Sequence, residues 1–179
     1  YLDAVHLVAV DHPDSVVVFP NERLLSSPPY PEFRLYPLAE VRPPIGAVDH
    51  RGIDVLEQLL HVDDDWYDGF EEEDIHGYAK DHSLTLDLGD LSQISHPVLL
   101  AHGWVNYAHS ASNWAAFQRG LELFPPRLEV PDGEGGWRLL TADMGCPAGL
   151  PKYMLFDLGA AAGSVFSNED YRLRITTNT

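Results

Sequence analysis

Tyr171-Arg-Leu-Arg-Ile175 decides the class of this chain. Apolar Tyr171, Leu173 and Ile175 alternate with Arg172 and Arg174, so an extended backbone sends the two sets to opposite faces. One face is then free to be buried while both guanidinium groups stay in water. Working back along the chain, Lys152-Tyr-Met-Leu-Phe-Asp-Leu158 is a second strand. Pro125-Pro-Arg-Leu-Glu-Val130 and Trp137-Arg-Leu-Leu140 flank Pro131-Asp-Gly-Glu-Gly-Gly136, a wide glycine-rich turn, and read as a β-hairpin. Residues 82–88 alternate most cleanly, with Leu84, Leu86 and Leu88 inward and Ser83, Thr85 and Asp87 outward. The expectation is an all-β fold, a mainly antiparallel β-sandwich of jelly-roll type, with two short helices.

The helices are expected near 53–60, where Ile53, Leu56 and Leu60 form one stripe, and near 112–124, where Trp114, Phe117, Leu121 and Phe124 recur at spacings of three and four. Trp104 and Trp114 read as core, and His102 as a histidine held within a buried strand. Residues 97–107 form another strand. Toward the start, 2–10 and 15–19 are β-rich runs joined by Asp11-His-Pro-Asp14. Seven prolines between Pro20 and Pro44 remove ladder donors, so this stretch is expected as extended coil lying along an edge. Its Phe33, Leu35, Tyr36, Leu38 and Val41 are too apolar for a free tether. The division expected is a docked, proline-rich arm over 1–45 and a sandwich domain over 46–179, with the last strand cut short at Thr179.

The chain has 179 residues, of which 28 are acidic and 11 basic, for a formal net charge of −17. Such a field repels phosphate backbones and excludes nucleic acid as a natural partner. No run approaches the roughly 18 apolar residues of a membrane span. Cys146 is the only cysteine, so neither an internal disulfide nor a cysteine-based zinc framework can form. The nine histidines show no His-Glu-x-x-His, and there is no Gly-x-Ser-x-Gly elbow and no P-loop. No catalytic residue is assigned.

Two constellations remain. The loop from His61 to Asp74 is dense in carboxylates, and hard oxygen ligands suit Ca²⁺. Asp63, Asp64, Asp65, Asp68 and Asp74 are the candidate ligands; an EF-hand frame set on Asp64 fails at Trp66 and Ile75, and a solvated acidic loop is the favoured alternative. Trp66 and Trp137 lie in or beside loops and are the candidates for stacking on a sugar.

Several segments are similar to one family. Val18-Phe-Pro-Asn-Glu-Arg23, Asp49-His-Arg-Gly-Ile-Asp54, His102-Gly-Trp-Val-Asn-Tyr-Ala-His109, Met144-Gly-Cys-Pro-Ala-Gly149 and the ending Leu173-Arg-Ile-Thr-Thr-Asn178 resemble a C-terminal region of large bacterial secreted proteins that carry FG-GAP repeats and ASPIC/UnbV modules. The resemblance spans nearly the whole chain, and the ending of hairpin and strands also looks like a galactose-binding-like jelly roll. It implies β-architecture, an extracellular or cell-surface location and a binding or scaffolding role, and it brings no catalytic residues. The function expected is therefore a non-enzymatic extracellular domain that self-associates into homo-oligomers or filaments. The alternative is a carbohydrate-binding module of a larger secreted protein. Assembly is expected by strand addition, from an apolar first run (Leu2, Val5, Leu7) and a final strand (Arg172, Arg174) taken to lie at an open edge.

Overall fold

The computed structural model describes residues 4, 7, 9–32, 34–147, 149–159 and 165–179. Among the described residues lie eleven strands in antiparallel ladders, an α-helix and a turn of 3-10 helix. The strands are β1 (Val17–Pro20), β2 (Arg23–Leu24), β3 (Leu35–Leu38), β4 (Gly46–Asp49), β5 (His82–Asp87) and β6 (Val98–Gly103). They continue with β7 (Arg127–Pro131), β8 (Trp137–Thr141), β9 (Cys146–Pro147), β10 (Lys152–Asp157) and β11 (Arg172–Thr177), and α1 spans Ser110–Arg119.

The main sheet has the order β4-β5-β11-β7-β8, and among the described residues no sheet closes into a barrel. Its buried side shows why the alternating strands settle as they do. Leu173 faces Leu86 across one ladder and Ile175 faces Leu128 across the next, so each inward residue finds an inward partner. Leu128, Val130 and Leu173 are fully buried, and they pack with Leu99, Met154 and Leu158 from the β6–β10 ladder and its exit. Apolar burial on that shared face drives the association of the two sheets.

The hairpin forms as expected. Asp132 closes its turn by accepting from the backbone N–H groups of Glu134 and Gly136 through Oδ1, at 2.8 and 2.9 Å. The final strand does not lie where strand addition requires it. β11 pairs with β5 on one side and β7 on the other, which makes it the central strand. In the first run, Leu2 and Val5 lie outside the described residues. The described Ala4, Leu7, Ala9 and Val10 are not in a strand, and Leu7 is 99% exposed.

The proline-rich stretch is more regular than its composition suggests. β1 and β3 pair, each carrying a proline, and β2 pairs with β9. It is tied down by Asn21, whose Oδ1 accepts from Leu155 N at 3.0 Å, and by Glu22, whose N–H donates to Tyr153 O at 2.9 Å.

Both expected helices are corrected. Over 53–60 only Leu56–Leu59 turns, as a 3-10 helix. Residues before it are held extended beside β4: Val55 N donates to Ala47 O, and Asp54 bridges Val48. Helix α1 begins two residues earlier than expected and ends at Gly120, whose φ of 69° makes the left-handed cap. Its stripe is not its buried face. Trp114 and Phe117 are 62% and 74% exposed, while Ala116 is fully buried against Ile75 and Tyr78. Trp104 is also exposed, contrary to its reading as core.

Candidate functional site

The outer face of the main sheet carries what the alternation left in water. Arg174 stands opposite Thr85 on one side and Glu129 on the other; Thr176 stands opposite Ser83 and Arg127. At the end of this face where β4, β8 and β11 finish and β5 and β7 begin, the surface sinks into an open depression of about 850 Å³. His50, Asp81, His82 and Ser83 line one side, Phe124, Pro125, Leu139 and Ala142 the other, and Arg127, Glu129, Arg174 and Thr176 lie between them. That volume is in the range of small-ligand sites.

A fixed polar network occupies the middle. Arg174 donates to Glu129 through Nε at 2.8 Å and through Nη2 at 2.7 Å, and Thr176 Oγ1 donates to Glu129 Oε2 at 2.9 Å. The Arg174 bonds hold the Glu129 carboxyl below the usual carboxylate range, against partial burial and with help from Thr176. The other face of the Arg174 guanidinium is covered by the Trp137 ring at 4.5 Å. A two-point ion pair with a stacked ring leaves this arginine little rotamer freedom.

The walls are fixed as well. Asn178, buried, accepts from Phe124 N at 3.1 Å and donates to Glu122 O at 2.8 Å, which anchors the segment that presents Phe124. The Arg127 guanidinium lies 4.0 Å above the Phe124 ring, and among the described residues no carboxylate forms an ion pair with it. His82 stacks on Phe70 at 4.6 Å and donates from Nδ1 to Lys80 O at 2.8 Å. Burial pushes its pKa down, and the nearby His50 acts in the same direction.

The expected site residues are dispersed. Trp137 belongs to the outer face, but Arg174 and Arg172 stack on its ring at 4.5 and 5.7 Å, so that face is not free for a sugar. Trp66 instead stacks on His102 of β6 at 5.4 Å, within a row that continues through Tyr153 to Phe19. Among the described residues the two tryptophans share no ring or guanidinium partner. Asp63, Asp64, Asp65, Asp68 and Asp74 are all exposed, and among the described residues no three His, Cys, Asp or Glu side chains converge on a point. Asp63 accepts from Asp65 N at 2.9 Å, a local turn. Arg172 and Arg174 are bound to Asp170 and Glu129, so both are committed within the domain.

Burial, with Asp143 nearby, pushes the Cys146 thiol up to about 11, well away from a reactive thiolate at neutral pH. Among the described residues no serine or threonine hydroxyl is bonded to a histidine. No helix among them is long and apolar enough to cross a membrane.

Comparison with family models, with characterised proteins and with solved structures finds no match for this chain. The resemblance to the FG-GAP and ASPIC/UnbV proteins therefore stands on the quoted segments alone. The depression was not anticipated as a site. Its only signal in the sequence is the period of two, which sends Glu129, Arg174 and Thr176 outward without saying that they meet.

Proposed function

We propose that this domain is a non-catalytic saccharide-binding module of β-sandwich, jelly-roll type that works outside the cell and takes its ligand on the outer face of the main sheet. The observation that carries the reading is the Arg174–Glu129–Thr176 network beside Phe124, Pro125 and Leu139. A sugar offers neighbouring hydroxyls, each both donor and acceptor, and an apolar ring face. An arginine–carboxylate pair supplies N–H donors and carboxylate acceptors side by side, and the adjoining apolar wall suits the ring. Because the pair is already locked, little side-chain entropy is lost on binding.

Binding, not turnover, is what the groups support. Glu129 is held ionised by Arg174 and is a poor proton donor at neutral pH. The acidic composition and single cysteine accord with an exterior, disulfide-free domain. Self-assembly through β11 is not proposed, because its ladder groups are used on both sides.

A glycan array followed by titration calorimetry of the best binder tests the reading. Glu129→Gln and Arg174→Ala should each weaken binding by roughly tenfold or more, as expected when a charge-assisted hydrogen-bonding partner is lost. Unchanged affinity in both variants, with melting temperatures near wild type, would move the site elsewhere.

A further inference from the structure

The two arginines of the depression differ in one respect. Arg174 is neutralised by Glu129, whereas Arg127 forms no ion pair with any described carboxylate. Building on the saccharide reading, we infer that Arg127 selects an acidic saccharide: a sugar bearing a carboxylate, which Arg127 binds while neighbouring hydroxyls meet the Glu129–Arg174–Thr176 network.

Three observations carry this. First, Arg127 is exposed and stands directly opposite Thr176 on β11, so its head belongs to the same surface as the network. Second, its guanidinium lies 4.0 Å over the Phe124 ring, and Phe124 is itself anchored through its N–H to Asn178. A guanidinium held over a ring has its N–H groups unconsumed by that contact, and a carboxylate can meet two of them with parallel hydrogen bonds. Third, no described carboxylate is bonded to it. Glu129 feels the Arg127 charge but gives both carboxylate oxygens to Arg174, and Asp81 immediately precedes β5, on the far side of β11 from β7.

The chain's −17 charge makes this selectivity short-ranged. Beyond a Debye length of about 8 Å the field is screened, so an acidic ligand is not drawn in from afar. It is distinguished only on contact, at the arginine of the depression that forms no ion pair among the described residues. A planar carboxylate fits the two-point geometry, so a uronic acid residue is the class expected.

The test uses the full chain and four probes: short oligomers of galacturonate and of mannuronate, each as the free acid and as the fully methyl-esterified neutral form. Calorimetric titration should give at least roughly tenfold tighter binding of the acid form in one of the two series. Arg127→Gln should remove that preference while leaving the ester's affinity within about twofold, and a thermal melt of the variant confirms that it folds. Arg127→Lys, a point charge without the fork, should restore only part of it. Equal affinity for acid and ester in wild type, or a preference that survives Arg127→Gln, overturns the role of Arg127 and leaves the saccharide reading standing. If neither acids nor esters bind, and the glycan array is blank, the saccharide reading falls and takes this inference with it.

Discussion

Replacing Asn178 with alanine should cost the domain about 2–3 kcal/mol. Asn178 is only 8% exposed and follows directly on β11. Its side chain satisfies two backbone groups of the segment entering β7: the N–H of Phe124 at 3.1 Å and the carbonyl of Glu122 at 2.8 Å. A net hydrogen bond is worth about 1 kcal/mol, and a buried group left without its partner costs about 1–3 kcal/mol. Glu122 is exposed and Phe124 half-buried, so water can recover part of the loss, and the lower part of the range applies. For a chain of this size, each kcal/mol moves the melting temperature by roughly 2–4 °C, so Asn178→Ala should melt about 4–12 °C lower. Asn178→Asp separates the two bonds. It keeps an acceptor for Phe124 N but turns an oxygen toward the Glu122 carbonyl, so it should be no better than alanine above pH 5. Urea melts of the three proteins give the free energies, with equal m-values as the check on two-state behaviour. An alanine variant within 0.5 kcal/mol of wild type would sink the argument that this residue clamps the β7 entrance.

The other predictions follow the same reasoning. Gly77 has a φ of 83°, and a Cβ there would lie 2.5 Å from the backbone nitrogen of Ala108, so Gly77→Ala should destabilise by about 2–4 kcal/mol in a urea melt. Leu128→Ala, at a fully buried position, should cost about 3–5 kcal/mol, whereas Phe117→Ala, at an exposed one, should stay within about 0.5 kcal/mol. The pKa of His82 is lowered by folding, so its neutral form is the one the native state favours. Stability should hold above the unfolded value of about 6.5 and fall as pH drops from there toward the lower folded value. His82→Gln should flatten that slope in melts run between pH 7.5 and 5. Asp49 adds a second acid limb: although burial opposes its charge, bonds from Ile53 N and Arg51 hold its carboxyl at about 2. Stability that Asp49 confers above its unfolded value near 4 should be lost as pH falls toward 2, and Asp49→Asn should remove that limb.

Much of the strand content was legible because alternation is a local property. Whether Leu173 and Arg174 face opposite ways depends only on an extended backbone, and the same holds for Leu84 and Thr85. The hairpin was legible for a related reason: its turn is closed within six residues by Asp132 and glycines. The neighbours of a strand are another matter. β11 comes last in the chain yet lies at the centre of the sheet, because its inward Leu173 and Ile175 are covered best between Leu86 and Leu128. That outcome concerns residues up to about ninety positions apart, and no window of sequence holds it. It also turned an expected open edge into a doubly paired strand.

Helix α1 shows the limit of periodicity from another side. Trp114 and Phe117 form the more obvious stripe, but the element facing α1 is the tight turn from Ile75 to Tyr78, and close approach there favours the small Ala116. The depression depends on tertiary structure throughout. Arg174 lies 45 residues from Glu129, and their pairing follows from register. Sequence alone therefore determined the strands whose apolar and polar residues alternate, among them β5, β7 and β11, and which sides of them turn to water, because stereochemistry and burial act residue by residue. Only the folded chain decided which outward residues would meet, because that depends on strand order, and strand order is settled by the competition among all the apolar faces at once.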